Sequence, residues 1–222
     1  MPCPSGADIA DAQTALTVLH ADDTLLAFDK PAGLLCVPGR GADKQDCLSA
    51  RAQARWPDAL VVHRLDMATS GIVLMARGAF AQRKLSIAFA QRETEKSYIA
   101  IVHGHVADDS GEFDLPLAAD WPNRPLQKVD LAHGKASLTR YRVLARDAAS
   151  NTTRVELQPV TGRSHQLRVH LLALGHPILG DALYAPSEMR AAAPRLLLHA
   201  QTLRLVHPAN GAPISIECAS PF

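Results

Sequence analysis

The chain contains 222 residues, of which 47% are hydrophobic and 20% are charged. This composition is near the average of globular domains and excludes an intrinsically disordered chain and a coiled coil, while the length allows a core without disulfides or structural metal. No apolar run approaches the roughly 20 residues that a membrane-spanning helix requires, and no secretory signal opens the sequence, so we expect a cytoplasmic protein.

The N-terminal half of the chain is predicted to alternate strands with helices. Apolar runs indicate the strands, and apolar residues at helical spacing indicate the helices. Asp46 is positioned to cap the first helix, and Pro57 stops it. The predicted elements are a strand at residues 24–29, a helix at residues 48–56, a buried strand at residues 72–76, a helix at residues 79–92 and a strand at residues 97–102.

The C-terminal half is predicted to be richer in hairpins. After an acidic, irregular segment at residues 105–120, two alternating stretches at residues 136–145 and 153–160 predict a hairpin. Ser164 is positioned to cap a helix that ends before Gly175. The remaining predicted strands are residues 196–206 and 214–218.

Hairpin-like connections outnumber strand-helix-strand units in this series of elements. We therefore predict the α+β class, with a mixed, largely antiparallel central sheet flanked by helices. Residues 1–22 are expected to form an N-terminal arm, and residues 23–222 a single catalytic domain.

The distribution of charge is more informative than the net charge, which is only +1. Residues 1–29 contain five aspartates and no lysine or arginine, whereas residues 121–146 contain six basic residues and one aspartate. A basic segment on a nearly neutral protein can attract a phosphate backbone to one face. Residues 121–146 are thus either a nucleic-acid contact or an ordinary solvated surface.

The four cysteines are scattered and include no CxxC pair. They are predicted to be free thiols, and a structural zinc is not expected. They are Cys3, Cys36, Cys47 and Cys218.

Two clusters of polar residues are candidates for a functional site. Asp66 shares a loop with Arg64 directly before the buried strand at residues 72–76, and loops beside rigid strands often hold functional groups. Arg168 lies one turn into the helix that follows Ser164. If Arg168 faces Asp66, it would keep the carboxylate charged and oriented. An aspartate in a loop is more often a turn or capping residue, so this pairing alone does not define a function.

Four segments, in chain order, resemble the motifs of the RluA family of pseudouridine synthases. Lys30-Pro31-Ala32-Gly33-Leu34-Leu35 is similar to the first motif, and His63-Arg64-Leu65-Asp66 with the five residues after it is similar to the catalytic loop. Lys96-Ser97-Tyr98 resembles the segment of the active-site tyrosine, and residues 161–181 resemble the arginine motif and its continuation. The resemblance implies the pseudouridine synthase fold, with an active-site cleft across the sheet and no S4-type RNA-binding domain.

The resemblance also implies a reaction: uridine in structured RNA becomes pseudouridine without cofactor or metal. The uracil is cut from C1′ of its ribose, turned, and rejoined through C5. Asp66 would be the nucleophile. Its attack on C1′, its addition to C6 and its assistance to a glycal intermediate all remain open.

The same resemblance assigns roles to four further residues. Tyr98 would stack on the uracil and help to remove the C5 proton. Arg168 would pair with Asp66, and Leu167 would pack near the base. Arg64 would fill the space that the extruded nucleotide leaves in the RNA.

Three histidines near these motifs match no metal-binding spacing. His63, His165 and His170 are therefore expected to be hydrogen-bonded packing residues or RNA contacts, and we include His63 among the substrate-binding candidates.

Three further segments resemble a dual-specificity member of the family that modifies tRNA and 23S rRNA. They are Val37-Pro38-Gly39-Arg40, Met67-Ala68 and residues 120–125. We therefore expect a monomer that acts on the first uridine of the tRNA anticodon loop, in the anticodon stem-loop, and on a hairpin uridine of 23S rRNA. The candidate phosphate contacts are Arg40, Arg124, Lys128 and Lys135.

Three alternatives stay open at this point. The chain could perform the same chemistry at another single tRNA or rRNA site, it could be a catalytically silent RNA-binding protein, or it could be an N-glycosidase that releases the base.

Overall fold

One ten-stranded sheet runs through the part of the chain that the structure, a computed structural model, describes, namely residues 16–222. Its strands are β1 (Thr17–Ala21), β2 (Leu25–Lys30), β3 (Ala59–Val61), β4 (Ser70–Arg77), β5 (Glu95–His103), β6 (Ser110–Asp114), β9 (Leu138–Asp147), β10 (Thr152–Pro159), β11 (Leu198–Val206) and β12 (Pro213–Glu217). A separate hairpin consists of β7 (Leu117–Ala119) and β8 (Gln127–Val129).

Four α-helices and two 3-10 turns accompany these strands within residues 16–222. The helices are α1 (Leu48–Arg55), α2 (Gly78–Gln91), α3 (Gln166–Ala173) and α4 (Ser187–Ala191). The 3-10 turns are Ala42–Lys44 and Trp121–Asn123.

The large sheet has the strand order β1-β2-β4-β11-β5-β10-β9-β6, with β3 beside β4 and β12 beside β11. β4 and β11 run parallel, and the other pairs in the described part of this sheet are antiparallel. The parallel contact is short, because it joins Ser70 and Gly71 to His199 and Ala200 and then ends. The prediction of an α+β fold with a mixed, largely antiparallel sheet is confirmed.

β4 is covered on both faces, which explains its uninterrupted apolar sequence. On one face Val73 and Met75 pack with Leu48 of α1. On the other face Leu74 packs with Leu85 of α2. The segment directly before β4 is therefore attached to one of the most rigid strands of the molecule.

α3 covers the other half of the sheet. Leu167 and Leu171 pack against Val155 and Leu157 of β10. Tyr98 of β5 contacts both this cluster and the cluster beneath α1. The Tyr98 side chain therefore lies where the two halves of the sheet meet.

The structure corrects two predicted helix caps. Cys47, not Asp46, is the N-cap of α1, because its sulfur accepts an amide hydrogen bond of the first turn. Asp46 instead forms an ion pair with Arg51, with 2.6 Å between Oδ2 and Nη2. α3 has His165 at its N-cap, with a left-handed φ of 54°, and Ser164 lies outside the helix.

The edge strands were harder to predict than the central ones. β6 and β7 lie within residues 105–120, which were expected to be irregular, because exposed charged residues obscure the strand period there. β1 lies within the predicted arm but pairs with β2. Residues 1–15 are outside the described part, so the division into an arm and a single catalytic domain without an S4 domain stays a prediction.

The central predictions hold. β9 and β10 form the predicted antiparallel hairpin. Cys36, Cys47 and Cys218 are buried free thiols, whereas Cys3 lies outside the described residues. Within residues 16–222 no helix combines the length and the hydropathy that crossing a bilayer requires.

Gly71 provides a test of the parallel contact between β4 and β11. Its φ is +103°, and a Cβ would overlap the backbone of Ala200, with the amide nitrogen only 2.7 Å away. We expect Gly71→Ala to lower the free energy of unfolding by about 2 kcal/mol or more, measured by urea denaturation. Gly162→Ala is the control, since its Cβ meets no atom within 4 Å and its φ is not left-handed. Equal stability of the two variants would contradict the close approach.

Candidate active site

A buried lysine holds the loop that carries Asp66. Lys30 is fully buried, and its Nζ donates to the carbonyl oxygens of Pro31 and Leu34 at 2.8 Å and of Met67 at 3.1 Å. Burial lowers the pKa of Lys30 to about 8. Because Met67 directly follows Asp66, this ammonium group fixes the backbone next to the predicted nucleophile.

His63 anchors the start of the same loop to β4. Its Nε2 accepts a hydrogen bond from the Leu74 amide at 2.9 Å, and its ring stacks on Phe89 with 4.5 Å between centroids. Burial, with the charge of Lys96, lowers the pKa of His63 to about 3, so the ring is neutral near pH 7. The geometry explains a positioning role, and contact of His63 with RNA stays a prediction.

The side chain of Gln166 fixes the beginning of α3. Its Oε1 accepts hydrogen bonds from the Thr161 hydroxyl at 2.8 Å and from the Arg163 amide at 3.0 Å. Its Nε2 donates to the carbonyl of Leu138 at 3.0 Å and to the hydroxyl of Thr139 at 2.9 Å. These bonds tie to β9 the helix whose first turn carries the predicted arginine.

Arg168 lies between two carboxylates. Its Nη1 donates to Oδ2 of Asp66 at 3.1 Å, while its Nε and Nη2 donate to the two oxygens of Asp181 at 2.8 and 2.6 Å. The side chains of Arg168 and Asp181 are only 4% and 1% exposed. Burial alone would lower the pKa of Arg168, but the bonds and charges of Asp181 and Asp66 outweigh it and raise that pKa. The guanidinium is thus a fixed charge beside Asp66.

Tyr184 orients a second group toward Asp66. Its hydroxyl accepts a hydrogen bond from the Gln127 amide at 2.9 Å and lies 2.6 Å from Nδ1 of His165. Burial raises the pKa of Tyr184, so the phenol keeps its proton. Burial also lowers the pKa of His165, against the opposing charge of Asp66. The contact with Tyr184 directs the other ring nitrogen, Nε2, toward Asp66, where it lies 3.8 Å from Oδ1.

Asp66, Tyr98, Leu167 and Arg168 line one cavity of about 130 Å³. This volume is smaller than the roughly 300–1,000 Å³ of a typical small-molecule site, so the cavity suits a single base, with the rest of a ligand outside it. Burial raises the pKa of Tyr98 well above its usual range, and the charge of Asp66 adds to this effect. The Tyr98 phenol therefore stays protonated.

A wider recess of about 480 Å³ opens beside this cavity and shares Tyr98 with it. Four cationic side chains line the recess, and no carboxylate does. A surface of this charge suits the phosphates on either side of a base held in the smaller cavity. The cations are Arg64, Arg92, Lys96 and Arg163.

The structure brings some predicted residues together and leaves others apart. Asp66, Tyr98, Leu167, Arg168 and Arg64 share one site. The four candidate phosphate contacts are exposed and line neither the cavity nor the recess. Their contacts with phosphate stay predictions. They are Arg40, on a turn before α1, and Arg124, Lys128 and Lys135, on or beside the hairpin of β7 and β8.

A family model described as RNA pseudouridylate synthase matches residues 24–173. The match spans more than half of the chain and includes both the Asp66 loop and Arg168. The chain belongs to the RNA pseudouridylate synthase family.

Similar proteins agree with this assignment. The Yersinia pestis protein named dual-specificity RNA pseudouridine synthase RluA is 51% identical over 207 residues, which are 93% of this chain and 100% of that relative. The protein of the same name from Escherichia coli strain K12 is 52% identical over 207 residues, or 93% of this chain and 94% of the relative.

Solved structures show the same fold. Human RNA pseudouridylate synthase domain containing 1 matches with a TM-score of 0.79 and 27% sequence identity. The match covers 100% of this chain and 87% of the human chain. Human RNA pseudouridylate synthase domain containing 4 matches with a TM-score of 0.75 and 27% sequence identity. The match covers 97% of this chain and 92% of the human chain.

Sequence reasoning missed several residues of this pseudouridylate synthase site. Asp181 was noted only as the end of a motif, and Tyr184 was not singled out. The sequence does not pair Asp181 with Arg168. In the structure a constrained turn precedes the carboxylate, because Gly180 has a φ of +73° and packs on the Arg195 backbone. Arg92 and Lys96 come from separate elements, and only the fold brings them together with Arg163.

Among residues 16–222 one group of potential metal ligands lies close together: Asp29, His199 and Cys218, with ligand atoms within 4.8 Å of one another. Both ring nitrogens of His199 are already engaged, with the Ser70 hydroxyl at 2.8 Å and the Cys218 carbonyl at 3.0 Å. Burial raises the pKa of Cys218 to about 12, so its thiol is not a ready ligand. The contacts fit a hydrogen-bonded core cluster better than a metal site.

Asp181 can be tested by removing its charge. Asp181→Asn leaves Arg168 buried with an incomplete partner, and breaking a buried pair in this way costs about 3–5 kcal/mol. We expect urea denaturation to show that loss and activity to fall, because Arg168 is then free to turn away from Asp66. Glu112→Gln is the control, since its ion pair with Arg140 is exposed and is worth less than about 1 kcal/mol. Similar losses for the two variants would contradict the role of Asp181.

Proposed function

We propose that this chain isomerises uridine to pseudouridine in structured RNA with Asp66 as the nucleophile. The observation that carries the proposal is the 3.1 Å hydrogen bond from Arg168 to Asp66 in a cavity that Tyr98 also lines. Membership in the family supports the reaction class.

The reaction needs a carboxylate, a base-sized cavity and a proton acceptor, and the site offers all three. The C1′–N1 bond breaks, the uracil turns, and a C1′–C5 bond forms before the C5 proton leaves. Nη1 of Arg168 lies 3.1 Å from one oxygen of Asp66, and Nε2 of His165 lies 3.8 Å from the other, which supports a single orientation of the carboxylate. C1′ attack, C6 addition and a glycal route are all compatible with this arrangement.

Tyr98 and Leu167 are proposed to hold the base. Tyr98 lines the cavity with Asp66, which supports stacking on the uracil and a later part in the removal of the C5 proton. Its raised pKa means that the phenol itself is a poor base, so we assign it a relaying role: its oxygen accepts the C5 proton while its own proton passes to the released carboxylate of Asp66, which lines the same cavity.

The substrates are proposed from resemblance. Relatives that are 51% and 52% identical carry the name dual-specificity RNA pseudouridine synthase, and the motif match supports the tRNA anticodon stem-loop and a hairpin of 23S rRNA. Base extrusion from such loops costs a few kcal/mol. The exposed Arg64 at the cavity mouth is suited to occupy the vacated position. A cytoplasmic, monomeric enzyme stays part of this proposal.

Asp66→Asn tests the nucleophile. We expect no pseudouridine, because an amide cannot replace the carboxylate, while affinity for RNA stays nearly unchanged since phosphate contacts dominate binding. The measurement is tritium release from RNA labelled at C5 of uridine, with a filter-binding assay beside it. Asp109→Asn, which changes a carboxylate at an exposed ion pair with Arg146, is the matched control.

Normal turnover by Asp66→Asn would refute the mechanism. Free uracil among the products of the unmodified chain would favour an N-glycosidase. RNA binding without tritium release by the unmodified chain would favour a catalytically silent RNA-binding protein.

Arg64→Ala tests base extrusion. We expect a larger fall in the single-turnover rate on a stem-loop than on an unstructured RNA that contains the same uridine, because only the stem-loop must lose stacking. Arg83→Ala, which removes another exposed arginine from α2, is the control. Equal affinity and an equal rate on the stem-loop for Arg64→Ala would remove Arg64 from the mechanism.

A further inference from the structure

The tip of the β7–β8 hairpin presents an exposed tryptophan in a fixed position. Trp121 is 69% exposed, which is unusual for so large an apolar ring. The loop around it is held by backbone hydrogen bonds from Asp120 to Leu126 at 2.9 Å and from Asn123 to Asp120 at 3.0 Å. The ordered turn therefore holds the indole in solvent. This exposure has a free-energy cost, which a ligand could offset by covering the ring.

A guanidinium supports one face of the ring. The Cζ atom of Arg124 lies 3.1 Å from the centroid of Trp121, so Arg124 covers that face and the remainder of the ring is open to solvent. An aromatic ring with a cation beside it is the arrangement on which proteins stack unpaired bases, since every base has a π-face and a neighbouring phosphate.

The charges around the tip favour a polyanion over a protein partner. Arg124, Lys128 and Lys135 are exposed and form no ion pair with a carboxylate of residues 16–222. The acidic residues of the segment are occupied within turns, because Asp120 accepts from the Asn123 side chain and Asp130 accepts from backbone amides.

The hairpin is also attached to the active site. The Gln127 amide at the start of β8 donates to the Tyr184 hydroxyl, which contacts His165 beside Asp66. A ligand bound at the tip is thus held in a defined position relative to the base cavity. Arg124 was predicted as a phosphate contact, which stays a prediction, and in the structure it lies over the indole of Trp121.

We propose that Trp121, backed by Arg124, is a stacking platform for an unpaired nucleobase of the substrate loop, distinct from the target uridine in the Asp66 cavity. This inference rests on the proposed function for the identity of the RNA. It adds a second point of recognition, which selects RNA with an open loop over a continuous duplex.

Intrinsic fluorescence tests the stacking directly. The chain has two tryptophans, so Trp56→Phe leaves Trp121 as the single reporter, and Asp66→Asn in the same chain prevents turnover. We expect quenching of Trp121 on titration with an RNA stem-loop that contains the target uridine, and none with the same strand annealed to its complement. Equal quenching by the duplex, or none by the stem-loop, would overturn the proposal.

Binding measurements on the otherwise unmodified chain give the energetic test. We expect Trp121→Ala to weaken the affinity for the stem-loop by about tenfold, the size of one lost base stack, with Trp121→Phe retaining part of it. Phe80→Ala is the matched control, because Phe80 is 66% exposed with Lys84 over its ring, but Lys84 donates to the Pro208 carbonyl and serves the fold. Affinity of Trp121→Ala equal to that of Phe80→Ala would overturn the platform.

The two proposals fail separately. If the unmodified chain forms pseudouridine while Trp121→Ala binds normally, only the platform is wrong. If the stem-loop quenches Trp121 in the Asp66→Asn chain but the unmodified chain forms no pseudouridine, the platform stands and the proposed reaction is wrong.

Discussion

The site depends on one buried guanidinium that two carboxylates share. A buried charge is tolerated only when it is paired and fully hydrogen-bonded, and Asp181 meets this need with two of the three bonds that Arg168 makes to carboxylates. Asp181 also accepts the amide of Tyr184 at 3.2 Å, and Tyr184 orients His165. Asp181 therefore organises both groups that approach Asp66, and the Asp66 carboxylate keeps accessible surface.

Asp66 is held from the other side by the backbone. Lys30 binds the carbonyl next to it, and the close approach of Gly71 to β11 fixes the strand that follows. A loop fixed at both ends on a strand buried on both faces cannot shift without disturbing the core. This explains why so short a segment can keep the proposed nucleophile Asp66, whose side chain remains 30% exposed, in one position.

The central elements were predictable because apolar periodicity identifies β4 and α3. The Asp66–Arg168 pair was expected from the resemblance of the two motifs to those of the family. The edge strands β1 and β6 were not predictable, since two of the five residues of β1 and four of the five of β6 are exposed and the apolar period is weak. Asp181 was not predicted as the partner of Arg168, because it lies on a turn 13 residues further along the chain. The cap of α3 was misplaced because the helix begins one residue later than expected, at a left-handed His165, and no side chain caps its first turn.

The basic residues of the segment 121–146 form two groups in the structure, which the sequence alone does not distinguish. One group has carboxylate partners among residues 16–222, and the other does not. Of the six basic residues in residues 121–146, Arg140, Arg142 and Arg146 on β9 bind Glu112, Glu156 and Asp109. Only the three on or beside the hairpin remain without ion pairs among the described residues. A cation that already has a carboxylate partner must lose it before it can release a counterion from RNA. The salt dependence of RNA binding should therefore follow the hairpin and the recess beside Asp66, rather than the net charge of the segment.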